Sequence, residues 1–187
     1  MKQRTRKTKD LAKCADFNHQ TSRSRGLGAA GRLKGKAHST THLHYLRAMA
    51  IEAADARASR EAYEACLAGD CSHLEARINL GRLLHLEGNL RGAEEVYLAA
   101  EEPSAILYFN LGVLLEDLKR ELDAIVAYRQ ALAHDPGLAD AHFNLSAVHD
   151  RLGESQAAFR HLLAYRRLLH ARDSKLVKRS KADSIRK

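Results

Sequence analysis

A tripeptide that recurs at nearly even spacing constrains this chain more than anything else in it. Asn79-Leu80-Gly81 returns as Asn110-Leu111-Gly112 and again as Asn144-Leu145-Ser146, at separations of 31 and 34 residues. Each copy leads into the same sequel: a small residue (Ala93, Ala124, Ala158), then Tyr97, Tyr128 or Leu162, then Ala100, Ala131 or Tyr165. Apolar residues three and four apart write one stripe on each of two helices per copy, and the small residues let those helices approach closely. One antiparallel pair cannot bury both stripes alone, so successive pairs must stack. The expected fold class is all-α, a right-handed α-solenoid of stacked antiparallel helix pairs.

The repeats divide the chain into units at 74–104, 105–138 and 139–170. Pro103 and Pro136, the only two prolines, fall between helical runs, where a missing amide donor does least harm. Upstream, SREAYEACLAGDC at residues 59–71 reads as the second helix of a degenerate repeat or N-terminal cap over 43–73, with its first helix at 43–57. The unit beginning at Leu74 has a linker three residues shorter than the next, so its exit turn is expected to be tighter. Residues 1–42 and 171–187 read as basic, mostly disordered tails, too poor in large apolar side chains to offset the entropy of ordering them.

The stretch YFNLGVLLEDLKRELDAIVAYRQALAHDP, residues 108–136, resembles the tetratricopeptide repeat (TPR) family, bacterial type. It departs from the family pattern at Lys119, where a glycine usually precedes the second helix. The other two copies keep that glycine as Gly88 and Gly153, while the last one carries Ser146 and Tyr165 at places usually held by small residues. The resemblance covers residues 43–170 and implies a concave groove walled by one face of each first helix. In that groove it places Ile78, Asn79, Arg82 and His85 from the first clear unit and Phe109, Asn110, Val113 and Glu116 from the second. Phe143, Asn144, Ala147 and Asp150 come from the third.

The three asparagines take equivalent places, and a side-chain amide can meet both the carbonyl and the amide of a ligand peptide unit. Similar asparagine ladders occur in the repeats of the O-linked N-acetylglucosamine transferase family, where they hold peptide backbone. The alternative is that each asparagine bonds a neighbouring helix. Phe109 and Phe143 stand as either ligand anchors or core. A carboxylate clamp needs several groove cations, and Arg82 is the only one, facing Glu116, Asp140 and Asp150. An apolar or basic peptide fits better, and the expected function is a protein–protein interaction scaffold or adaptor.

Charge suggests a second reading. Residues 1–47 carry a net +10, residues 48–73 a net −3, residues 74–170 a net −4 and residues 171–187 a net +5. Arg4, Arg6, Lys7 and Lys9, with Lys175, Lys178, Arg179 and Lys181, could meet phosphates without sequence preference. Some bacterial proteins with similar repeats carry a DNA-binding domain upstream. Against specific recognition stands the lack of a helix-turn-helix pattern or stacking aromatics in the N-terminal arm.

No catalytic constellation emerges, so the chain is expected not to be an enzyme and to need no cofactor or metal. GLGAAG at 26–31 follows no apolar strand, and His38, His42 and His44 have no acidic or cysteine ligand beside them. Cys14, Cys66 and Cys71 form neither a disulfide framework nor a CxxC pair, which points to reducing cytoplasm. No stretch approaches the ~18 apolar residues of a membrane span. A protein or peptide partner is expected. Leu162, Leu163, Leu168 and Leu169, with no further repeat to cover them, also suggest homo-oligomers through the C-terminal helix.

Overall fold

The computed structural model describes residues 30–185, with side chains described over 40–174. The chain divides between Pro103 and Ser104 into two compact units. The first holds α1 (Ala30–Ile51), α2 (Ala56–Gly69), α3 (Leu74–Leu86) and α4 (Leu90–Leu98). The second holds α5 (Ala105–Asp117), α6 (Glu121–His134), α7 (Ala139–Arg151) and α8 (Ser155–Ile185). Within each unit every helix packs on the next in sequence, and no strand occurs among the described residues.

Four helix starts carry a side-chain cap. Asp55 Oδ1 accepts from the Ala58 amide at 2.9 Å, His73 Nδ1 from Ala76 at 3.3 Å, Asn89 Oδ1 from Gly92 at 3.2 Å and Ser104 Oγ from Leu107 at 3.3 Å. Arg120 caps α6 without a side-chain bond, and Glu121 and Asp123 in the first turn favour the positive end of that helix instead.

The turns inside the three hairpins, α3–α4, α5–α6 and α7–α8, are identical in kind. Each first helix ends in a pair of reversed bonds, such as Asn89 N to Leu84 O at 2.8 Å and Gly88 N to His85 O at 2.9 Å. This geometry needs a left-handed residue. Gly88 and Gly153 supply it with φ of 75°, and Lys119 adopts it with φ of 62°, the one non-glycine among the described residues to do so.

Ala93, Ala124 and Ala158 are buried where the helices of each hairpin approach. Tyr97 and Tyr128, fully buried, lie across glycines: a Cβ on Gly81 would sit 2.3 Å from Tyr97 Cε1, and one on Gly112 would sit 2.5 Å from Tyr128 Cε1. Leucines 80, 83, 84, 107, 111, 114, 115 and 145 complete the cores, each contributing about 1.5–3 kcal/mol when fully buried.

Four boundaries differ from expectation. The tighter exit turn is not found: α4 has 9 residues against 14 in α6, so the deleted residues come out of the helix and the connection at 99–104 is the longer one. Pro103, and Glu101 and Glu102 at the negative end of the helix, explain the early stop. The first helix ends at Ile51, not at 57, because Asp55 must stand outside α2 to cap it. It begins at Ala30, inside the segment read as an arm, and α8 continues to Ile185 through the segment read as a tail. Residues 1–29 lie outside the described residues.

Candidate functional site

In the first unit Asn79 and Arg82, three apart on α3, face the end of α1. With Met49, Glu52 and Ala53 they line a depression of about 430 Å³. Arg82 Nη2 pairs with Glu52 Oε1. The Tyr63 hydroxyl donates to Glu52 Oε2 at 2.9 Å, and Asn79 Nδ2 donates to the Tyr63 oxygen at 3.2 Å. Ile78 and His85 on the same helix are partly buried.

The second unit repeats the arrangement. The Tyr128 hydroxyl donates to Glu116 Oε1 at 2.5 Å, Asn144 Nδ2 donates to the Tyr128 oxygen at 3.0 Å, and Arg151 Nη2 pairs with Glu116 Oε2. Arg151 also meets Glu121 at 3.0 Å, and the bond to Glu116 is the main cause raising its pKa above the ordinary value. Asn110 and Val113 on α5, and Ala147 on α7, are partly buried, while Asp150 is exposed. Phe109 is partly buried against Tyr128, ring centroids 5.8 Å apart. Phe143 is 50% exposed against Tyr165, centroids 5.3 Å apart, so the residue at the usual alanine place serves as its neighbour.

The expected site residues therefore fall into two groups, one per unit. Asn79 and Arg82 come together on the first, and Phe109, Glu116, Phe143 and Asn144 collect around Tyr128 and Tyr165 on the second. Two of the three asparagines bond a tyrosine of the preceding helix through their nitrogen, the alternative weighed for that position, and keep Oδ1 for other use. Both arginines on these faces are already paired with glutamates, which removes the cations a carboxylate clamp would require.

Sequence reasoning missed Glu52, Tyr63, Tyr128 and Arg151 as site residues. A signal existed: each bonded tyrosine precedes its asparagine by 16 residues. Tyr97 breaks the series. It is buried, and its hydroxyl has no hydrogen-bond partner among the described residues. At the place of Glu116 the first unit carries His85.

Elsewhere, Arg77 is buried and ties α3 to both flanks, its Nη1 meeting Val96 O at 3.1 Å and its Nη2 meeting Cys71 O at 2.5 Å. Between α7 and α8, His142 Nδ1 lies 3.0 Å from His161 Nδ1, and His161 stacks on buried His149. No group of three His, Cys, Asp or Glu among the described residues is placed to hold a metal ion, and no described helix is long and apolar enough to cross a membrane. Arg4, Arg6, Lys7 and Lys9 lie outside the described residues. The backbone of Lys175, Lys178, Arg179 and Lys181 belongs to α8, and their side chains lie outside the description.

Residues 105–137 match the family model described as Tetratricopeptide repeat. No curated protein matches the chain. Among solved structures it is similar to the MamA protein, with a TM-score of 0.63, 24% identity and coverage of 70% of this chain and 73% of that one. It is also similar to PilF of Pseudomonas aeruginosa, with a TM-score of 0.65, 15% identity and coverage of 89% and 78%. A third is YrrB, described as a TPR protein with an unusual peptide-binding site, with a TM-score of 0.61, 15% identity and coverage of 75% of each chain. At these identities the likeness speaks for the fold. Helix pairs joined by the same left-handed turn, a matched repeat and this structural likeness agree: residues 105–137 are a tetratricopeptide repeat, and the described helices have the helix-pair fold of these solved structures.

Proposed function

We propose that the chain is a protein-interaction scaffold that holds extended, uncharged peptide segments on the asparagine-bearing faces of its two units. Asn79, Ile78, Arg82 and His85 form the contact in the first unit. In the second it comprises Phe109, Asn110, Val113, Glu116, Phe143, Asn144, Ala147 and Asp150. The observation that carries this reading is the same Arg–Glu–Tyr–Asn set in both units, which neutralises the cations and holds an amide beside partly exposed apolar groups. Phe143 offers a large contact area at little entropic cost. The similar solved structure of YrrB, described as a TPR protein with an unusual peptide-binding site, supports a peptide-binding role.

The test is selection from a displayed library of short uncharged peptides on the immobilised full chain. Binders should lose affinity roughly tenfold or more, about 1.4 kcal/mol, in Asn79→Ala or in Asn110→Ala with Asn144→Ala. Equal affinity in all variants refutes the reading. A second reading, pairing of two copies through α8, rests on exposed Phe159 and Leu162. A monomeric mass by light scattering at high concentration refutes it.

A further inference from the structure

Proton counting in the two networks determines which way two amides face. A phenol has one proton to give. Tyr63 gives it to Glu52 Oε2 at 2.9 Å, and Tyr128 gives it to Glu116 Oε1 at 2.5 Å. Both carboxylates are paired with an arginine and only accept. Burial raises the pKa of both phenols, and for Tyr128 the bond to Glu116 adds to it, so these protons stay where they are. Each phenol oxygen can then meet its asparagine only as an acceptor, and the amide must turn its nitrogen inward: Nδ2 of Asn79 at 3.2 Å and of Asn144 at 3.0 Å. Without the glutamates, a hydroxyl could donate to Oδ1 and the amide could sit either way round.

We infer that Glu52 with Tyr63, and Glu116 with Tyr128, are positioning pairs that lock Asn79 and Asn144 with Oδ1 directed away from the phenol, so that each face reads a backbone N–H of a bound peptide. This rests on the peptide reading above and gives it a direction. One nitrogen proton of each amide is committed to tyrosine, while the carbonyl oxygen keeps both lone pairs. A ligand N–H therefore meets a fixed acceptor, and a peptide methylated at that nitrogen loses the bond.

Two measurements test this on the full chain. Side-chain amide exchange is followed by NMR in the ligand-free, nitrogen-labelled protein, with exposed Asn89, which caps α4 through Oδ1, as the internal reference. Asn79 and Asn144 should exchange roughly tenfold or more slowly than Asn89. In Tyr63→Phe only the protection of Asn79 should collapse, and in Tyr128→Phe only that of Asn144. Both variants keep the ring, and the wild-type comparison stands without them should either fold poorly. Equal exchange for all three asparagines, or protection that survives the loss of the hydroxyl, overturns the positioning.

The second measurement takes the strongest peptide from the display library and methylates its backbone nitrogens one at a time. At least one methylation should weaken binding by about tenfold in the wild type and by less than about threefold in Asn144→Ala or in Asn79→Ala. Indifference to every methylation overturns the claim on ligand N–H groups. A library that yields no binder while the exchange pattern holds overturns the peptide reading, and that claim with it. A lost exchange pattern with binders in hand overturns the positioning alone.

Discussion

Lys119 sits where its two counterparts are glycine, and the cost can be worked out from the turn. A residue with a Cβ in the left-handed region is disfavoured by about 1–2 kcal/mol. Glycine avoids that but loses more backbone freedom on folding, which takes back about 0.5–1 kcal/mol. Lys119→Gly should therefore stabilise the second unit by about 0.5–1 kcal/mol. Gly88→Ala and Gly153→Ala are the mirror experiment. A Cβ at either position meets nothing within 4 Å, so the cost is conformational alone, again about 0.5–1 kcal/mol, now destabilising. The assay is urea unfolding followed by far-UV circular dichroism, comparing midpoints at unchanged slope. Amide exchange assigns the effect to one unit, since Gly88 lies in the first and Lys119 and Gly153 in the second. A Lys119→Gly midpoint at or below wild type, with both alanine variants weakened, would show that the lysine side chain contributes as much as the φ penalty costs.

Other expectations follow from buried polar groups. Tyr128→Phe should cost about 1–3 kcal/mol, because it strips a bond from Glu116 and from Asn144, whereas Tyr97→Phe should be neutral or stabilising, because its hydroxyl has no partner among the described residues. Urea midpoints for the two variants that shift alike refute the assignment. Burial, then His142, His149, Arg129 and Arg160, hold the pKa of His161 down to about 4, and burial lowers that of His142. An unfolded histidine takes its proton near pH 6.5, so acidification below that point loads the unfolded chain first. Stability should be full above about pH 6.5 and fall as the pH drops toward 4, more gently in His161→Leu; a midpoint flat between pH 7 and 5 contradicts this. Burial, and then Asp70, push the Cys66 thiol up to about 11, so a thiol reagent at mildly alkaline pH should label partly exposed Cys71 and spare Cys66 until urea is added. Peptide mapping by mass spectrometry reads the difference, and equal labelling rates refute it.

Much of the fold was legible in the chain because repetition averages out local ambiguity. Asn79, Asn110 and Asn144 gave the phase of the first helices, and Gly88 and Gly153 marked the turns so clearly that Lys119 could be recognised as a departure. Helix ends set by one residue were harder to read. The run IEAADARAS has neither glycine nor proline, and only Asp55, acting as a cap, places the break after Ile51. In the site, the apolar and asparagine positions follow helical period, but the bonds that orient them do not. Arg82 lies 30 residues from Glu52, and Arg151 lies 35 from Glu116. Such pairs depend on how one helix hairpin leans on the next, which no local spacing records.

The tyrosine rings that lie across glycines have a consequence for how this chain can change. Ring and glycine sit 16 positions apart on opposite limbs of one hairpin, at 81 and 97 and again at 112 and 128; in the last hairpin both partners differ, as Ser146 and Leu162. Neither residue can be exchanged between copies alone, since a serine placed under a tyrosine puts its Cβ inside the ring's contact distance. Whole hairpins are therefore the interchangeable parts here. Single residues are not, and a repeat shuffled hairpin by hairpin should tolerate rearrangements that a residue-by-residue consensus would not.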